Sequence, residues 1–419
     1  MISTLKDAWR IPDLRQKIVF TILLLLVYRI GSFIPVPYVD TEQLASLIEG
    51  GGMFGLFDII SGGNFGNFTI FAMSITPYIN ASIIMNLLAF AIPALERLQK
   101  EGEEGRKKIA QYTRYLTIVL AIIQAIGMSL SYQGLLTDDS AFAVFVVVLC
   151  ITAGTTFLMF LGEQITENGI GNGISLIIFI SIISRIPDAI VTLYDYVQAG
   201  TMSIIAVILL IIAIIVAVVA VVAVTEGQRK IPVQYAKRVV GRKMYGGQST
   251  HIPLRVNMAG VIPIIFASSL TLFPATLAQF FPNSAFTQWI STYFAWGDPV
   301  TTVVYVILIV AFTYFYTAVT FNPFDIADNI KKQGGYIPGI RPGKPTVDYL
   351  SRVMNRLTLF GGVFLALIAI IPIIVGNFMG GVSLQFGGTS LLIVVGVALE
   401  TVKQLESEMT MRNYQGFLK

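Results

Sequence analysis

Residues able to make or break covalent bonds are scarce in this sequence. His251 is its only histidine and Cys150 its only cysteine. The histidine lies in the polar stretch GGQSTHIPLR and the cysteine inside an apolar run, so they form neither a nucleophile–base pair nor an internal disulfide. No GxxxxGK[ST] loop, CxxC or HExxH occurs. Cys150 reads as a small core residue, and no catalytic residue, metal ligand or cofactor is expected. What remains is the chemistry of cations. Of the 28 lysines and arginines, 26 fall in five segments, 6–17, 97–114, 229–255, 331–356 and 403–419. Two long loops, 225–256 and 322–353, present them on the glycine-rich tips GRKMYGGQ and KKQGGYIPGIRPGKP. Such displays suit RNA phosphates or an acidic protein surface. The same charges also serve a simpler end, fixing membrane topology.

The elements that carry those loops are hydrocarbon. Hydrophobic residues make up 55% of the chain and charged ones 12%, with a mean hydropathy of +0.76. Apolar blocks near the ~20 residues needed to span a bilayer fall at about 18–36, 68–92, 113–133, 141–161, 173–194, 202–224, 257–281, 300–321, 354–375 and 386–404. Short polar connections join them, which argues for one integral membrane domain over 1–419. The opening MISTLKDAWRIPDLRQK is mixed in charge and no small-residue cleavage pattern follows, so the first block is expected to stay as an anchor.

With the amino terminus in the cytoplasm, all 26 clustered cations face inward. Only Arg29 and Arg185 remain, late in outward-running spans, where a long side chain is expected to snorkel to the outer interface. Asp40, Glu42, Glu49, Asp58, Asp138, Asp139 and Asp298 fall in outer connections. Both termini are then cytoplasmic, which requires an even number of spans. Division after the fifth gives halves 1–196 and 197–419 that start on opposite sides, the geometry of an inverted repeat. No internal sequence repeat is visible, so this follows from parity alone.

Function classes narrow accordingly. An ion-coupled transporter usually carries ionisable groups in its spans. An intramembrane hydrolase needs a nucleophile–base pair, paired aspartates or metal ligands at membrane depth. The sixth block, TMSIIAVILLIIAIIVAVVAVVAV, is plain hydrocarbon, and the others offer no such set. The chain reads as a passage driven by a partner, with an inverted-repeat secondary transporter of a small solute as the alternative. One stretch stands apart. FGLFDIISGGNFGNF, residues 54–68, is too short to span and is broken by glycine.

The strings SITPYINASII, EGEEGRKKIAQYTRY, LGEQITENGIGNGISLIIF, GQSTHIPLRVNMAGVIPIIFASS, FNPFDIADNIKKQGGYIPGIRPG and FGGTSLLIVVGVALE occur in that order. With them the chain resembles, nearly end to end, the SecY family of channel subunits of the bacterial Sec protein translocase. The resemblance implies an all-α membrane protein, with ten transmembrane helices in two pseudo-symmetric inverted halves around an hourglass pore. Residues 54–66 take the place of its plug helix, with Leu56, Phe57, Ile59 and Ile60 as the apolar face and Gly62, Gly63 and Gly66 as hinges. At about 1.5–3 kcal/mol each when fully buried, those four side chains hold the plug by roughly 6–12 kcal/mol at most. Ile75, Ile79, Ile178, Ile265 and Ile393 match the pore ring. Asn80, Gln124 and Asn257 match polar positions of the lateral gate between spans two and three and spans seven and eight. Their amides are expected to pair when the gate is closed, for about 0.5–2 kcal/mol in total. Arg242, Lys243 and Arg341 match the loops that dock the SecA ATPase or the ribosome through its rRNA phosphates. The remaining implied partners are SecE and SecG, preprotein signal sequences and membrane lipid, at the bacterial plasma membrane.

Overall fold

The computed structural model describes residues 7–40, 58, 61–131, 136, 140–200, 202–235, 238–240, 243–245, 249–278, 280, 284–294, 298–378 and 388–416. Apolar blocks fold as helices because only a backbone that satisfies its own polar groups is stable in hydrocarbon. The first half contains α1 (Pro12–Gly31), α2 (Thr76–Ala91), α3 (Pro93–Lys100), α4 (Glu103–Ser131), α5 (Ala141–Asn168), α6 (Gly173–Ile183) and α7 (Ile186–Gln198). The second contains α8 (Ile204–Glu226), α9 (Ile262–Ala278), α10 (Ala285–Tyr293), α11 (Pro299–Thr320), α12 (Pro323–Lys332), α13 (Lys344–Phe378) and α14 (Gly388–Gly416). Among the described residues, seven helices are long and apolar enough to cross a membrane, or eight if α2 and α3 count as one bent span. The other two sequence blocks hold α1, which carries four charges, and α9, which is 17 residues long.

Helix ends follow local chemistry. Ser140, Asn172 and Ser203 cap α5, α6 and α8 by accepting the N–H of Ala143, Ser175 and Ala206 at 3.1–3.2 Å. Pro93 forces Ile92 into an extended conformation (ψ 115°), and the chain turns by 100° between α2 and α3. The block read as 68–92 is helical only from Thr76. Before it the backbone runs through turns, with Phe68 and Ser74 at positive φ (43° and 50°).

Packing runs mostly between chain neighbours. α2 lies on α4, α4 on α5 and α5 on α6, while α9 lies on α11, α11 on α13 and α13 on α14. Two seams join these sets. Along one, α9 meets α2 and α4; along the other, α6 meets α14. α8 is the outlier, with Val221 its only fully buried residue.

The two long loops are more ordered than their glycines suggest. Residues Gln228–Tyr235 (β1) pair antiparallel with Ser249–Arg255 (β4), bringing Ile231 opposite Ile252. Gly335–Tyr336 (β5), from the other loop, adds to the free edge of β1 with Gln234 opposite Tyr336. At the tip, Arg238–Val240 (β2) pairs with Lys243–Tyr245 (β3). Ile231, Val233 and Leu254 are buried against Ala327, Ile330, Val347, Leu350 and Met354 of α12 and α13. This is period-two alternation on a half-buried sheet. The loop read as 322–353 also ends early, since α13 starts at Lys344.

Candidate functional site

Ile75 ends the run of turns before α2, and Ile79 follows one helical turn later, its N–H donating to the Ile75 carbonyl at 3.1 Å. Ile178 comes from α6, Ile265 from α9 and Ile393 from α14. The fold brings all five into one apolar cluster at the meeting of both halves. Ile75, Ile79, Ile178 and Ile393 are buried, and Ile265 packs against them half-buried. Their neighbours include Ile83, Ile182, Ile264 and Leu392. A cluster of this kind offers water no hydrogen-bond partner.

At the end where α1 stops and α2 begins, residues 61–75 fold back across the bundle. Leu56, Phe57, Ile59 and Ile60 lie outside the described residues. Gly62 and Gly63 are described, with positive φ of 72° and 87°. The described contacts of residues 58–69 are mixed: Phe65 and Phe68 are buried in an apolar cluster with Val36, Ala121, Met128 and Ile151, and a polar network runs beside them. Tyr28 of α1 is buried with its hydroxyl 2.6 Å from Ser181 Oγ of α6, and Asn64 Nδ2 donates to the same hydroxyl at 3.0 Å. Asn64 Oδ1 accepts from Thr69 Oγ1 at 3.1 Å. Asp58, 4% exposed, forms an ion pair with Arg185. Arg185 is thus held beside Asp58. Its side chain is only 19% exposed, because a buried carboxylate sits beside it. The sequence did carry a signal for this contact: an aspartate in an apolar stretch and an arginine at a span end each want a partner.

The three amides do not pair with one another, contrary to expectation. Asn80 is buried on α2. Asn257 donates its Nδ2 to the Gly260 carbonyl at 3.1 Å, leaving a buried Oδ1 without a partner. Gln124 lines a small cavity of about 30 Å³ with Phe65, Ala72, Met73, Thr76, Met128 and Thr276. The hydrogen bond across the seam is instead Asn86 of α2 to the Tyr316 hydroxyl of α11, 3.3 Å long, beside an edge-on contact of Phe90 with Phe315. Sequence reasoning missed that pair, since which side chain meets which is set by helix rotation.

On the basic face, Arg341 is exposed between β5 and α13, and its carbonyl accepts Thr346 Oγ1 at 2.9 Å. Lys243 begins β3, and Arg242 lies outside the described residues. Ion pairs tie helices of different sequence position together: Arg114 to Glu163 (2.6 Å), Lys17 to Glu408 (2.9 Å) and Lys403 to Glu226 (3.1 Å).

The SecY family model matches residues 69–402 of this chain. The chain is 50% identical over 431 aligned residues to the protein translocase subunit SecY of Bacillus subtilis strain 168, and 49% identical to that of Halalkalibacterium halodurans. Each pairing covers 100% of both chains. It superposes on a solved protein-conducting channel with a TM-score of 0.65 at 23% identity, covering 94% of this chain and 92% of the other. Sec61 from the canine ribosome–channel complex of the endoplasmic reticulum gives 0.62 at 21% identity, with the same coverage. At those identities the solved structures speak to the fold. The curated relatives speak to descent, and by their full-length match the chain belongs to the SecY family.

Proposed function

We propose that this chain is the protein-conducting channel of a bacterial plasma-membrane translocase, with both termini cytoplasmic, passing unfolded preproteins outward and releasing transmembrane segments sideways into lipid. One observation carries the reading in physical terms: the five isoleucines share one apolar cluster where the two halves meet. A neck of branched aliphatic side chains dewets when narrow and so stops water and ions. It also offers a threaded chain nothing polar to hold, so sequence matters little to passage. Residues 54–66 are the plug above that neck. The seam of α9 with α2 and α4 is the lateral gate, where Asn80, Gln124 and Asn257 stand.

Nothing in the neck performs hydrolysis. Drive comes from SecA or a translating ribosome, docked through the sheet-braced loops that carry Arg242, Lys243 and Arg341. SecE and SecG complete the assembly. The rival, a small-solute transporter, would need ionisable groups at mid-membrane, and the apolar blocks of the sequence carry almost none. The decisive experiment is photocrosslinking of a stalled secretory chain to probes at positions 79 and 265. Crosslinks at both, and none from probes on the exposed face of α8, are expected. Their absence at both would remove the channel reading.

A further inference from the structure

The described part of residues 54–66 is tied down by a buried charge pair. Asp58 and Arg185, the latter at the junction of α6 and α7, pair with side-chain exposures of 5% and 19%. Asp58 is also fixed by its own chain. Its Oδ1 accepts the Gly66 N–H at 2.7 Å, and its carbonyl accepts Ser61 Oγ at 3.0 Å and the Gly63 N–H at 2.9 Å. The segment therefore moves with its carboxylate. Approach to α6 is close as well: a Cβ on Gly62 would come within 2.7 Å of the Ser181 carbonyl, and one on Gly63 within 3.4 Å of the Arg185 guanidinium carbon. Separating two desolvated charges costs more than the pair gains when made, unless each finds another partner. Such a contact holds or releases; it does not yield by degrees.

A second carboxylate is already within reach. Asp188, one turn along α7 and 60% exposed, lies 3.4 Å from Nη1 of the same guanidinium, while Nη2 faces Asp58. Arg185 Nε is buried without a hydrogen-bond partner, so the guanidinium is not fully satisfied where it rests.

We propose that Asp58 and Arg185 form a charge latch that keeps the plug closed, and that Asp188 takes over the guanidinium when the plug leaves. The inference rests on the reading of residues 54–66 as the plug. All three are positioning residues, acting on the plug rather than on the polypeptide in transit. With the handover, Arg185 is paired in both states, and opening asks only that Asp58 be hydrated at the outer mouth. Two discrete arrangements of one cation make a two-state element, and a signal sequence need supply only the difference between them. The signs are opposite for the two carboxylates. Neutralising Asp58 favours the open state, and neutralising Asp188 favours the closed one.

The test is ion conductance of the channel with its partner subunits in liposomes, at rest and with a synthetic signal peptide. Asp58→Asn keeps the side chain's shape and an acceptor for Gly66, so it carries the test even if an Arg185 variant fails to insert. Asp58→Asn and Arg185→Gln should each raise resting conductance by about tenfold or more, and the double variant no further than the larger single, because both remove one interaction. Arg185→Lys, which keeps the charge but loses the fork that reaches both carboxylates, should leak less than Arg185→Gln and more than the parent. Asp188→Asn should leave the membrane sealed and cut peptide-driven opening by roughly threefold. Deletion of 56–66 separates the two readings. If the deletion leaks while Asp58→Asn and Arg185→Gln stay sealed, the latch is wrong and the plug stands. If the deletion itself stays sealed, the plug reading fails and takes the latch with it. Multiplying leaks in the double variant, or easier opening in Asp188→Asn, would also overturn the latch as drawn.

Discussion

Ile75, Ile79, Ile178, Ile265 and Ile393 belong to one apolar cluster, and Tyr28, a member of the same cluster, links it to a network in which Asn64, Ser181, Asp58 and Arg185 are joined by directed bonds and a charge pair. Hydrophobic contact is non-directional and nearly proportional to area, so the isoleucines can re-pack around whatever fills the space between them. Hydrogen bonds and buried charges have one good geometry and a steep cost for leaving it. On the proposed reading, a neck that must fit many sequences is best built from aliphatic side chains, and the plug segment adds directed polar contacts at residues 58–69 to the apolar hold of Phe65 and Phe68.

Removing the closure altogether is the strongest way to break this contrast. Deletion of residues 56–66 should open a resting ion leak in planar bilayers larger than that of any point variant, and a sealed membrane would leave the polar region with nothing to close. Truncating the neck comes next. Ile79→Ala with Ile265→Ala should leak less than the deletion. It should also lower stability, by up to about 2–5 kcal/mol per buried truncation in denaturant unfolding. A neck that stays tight with both truncations would show that the seal lies elsewhere.

Arg341→Glu supplies a reference outside both regions. If the basic face docks SecA as proposed, SecA-driven export should fall by roughly tenfold with no leak, since charge reversal at such a face acts on association; a leak from this variant would couple the basic face to the seal. Tyr28→Phe should sharpen the comparison from the polar side. It removes one hydrogen bond each from Ser181 and Asn64, which keep their bonds to the Ile177 and Ser61 carbonyls, at about 0.5–1.5 kcal/mol apiece, and should raise resting conductance modestly where an equally small trim of the neck, Ile178→Val, does not. Tyr316→Phe is the smallest change. It removes the Asn86 hydrogen bond for about 0.5–1.5 kcal/mol and should speed crosslinking of a signal sequence to the seam while the resting seal stays intact.

Much of the architecture was readable because a membrane span is a local fact. An apolar run of sufficient length has few choices in lipid, and α4, α5, α8, α11 and α14 lie within a turn or so of their blocks or extend them at one end. Errors fell where local pattern stops deciding. Residues 68–75 are as apolar as a helix, yet they run as turns pinned by Val36 N–H to the Phe68 carbonyl and Ile70 N–H to the Ile34 carbonyl, at 2.9 and 3.0 Å. The loops looked like glycine-rich projections, yet β5 is two residues long and becomes a strand only because β1, from a distant part of the chain, offers it an edge. In the site, Asn86 lies within α2 and its rotation carries it to Tyr316 across the seam, whereas Asn257 lies in the connection before α9 and bonds the Gly260 carbonyl.

Composition and order of residues by themselves determined that this is a multi-span membrane protein, where its cations gather, and which family it joins. Each of these depends on the free energy of single segments in lipid or on matching strings, and so is written along the chain. Tertiary structure alone decided that five isoleucines from α2, α6, α9 and α14 and the turn before α2 share one cluster. It alone put Arg185 on Asp58, and let two loops share one sheet. These are pairings between distant positions, and their energies exist only once the helices have packed at a particular angle and depth.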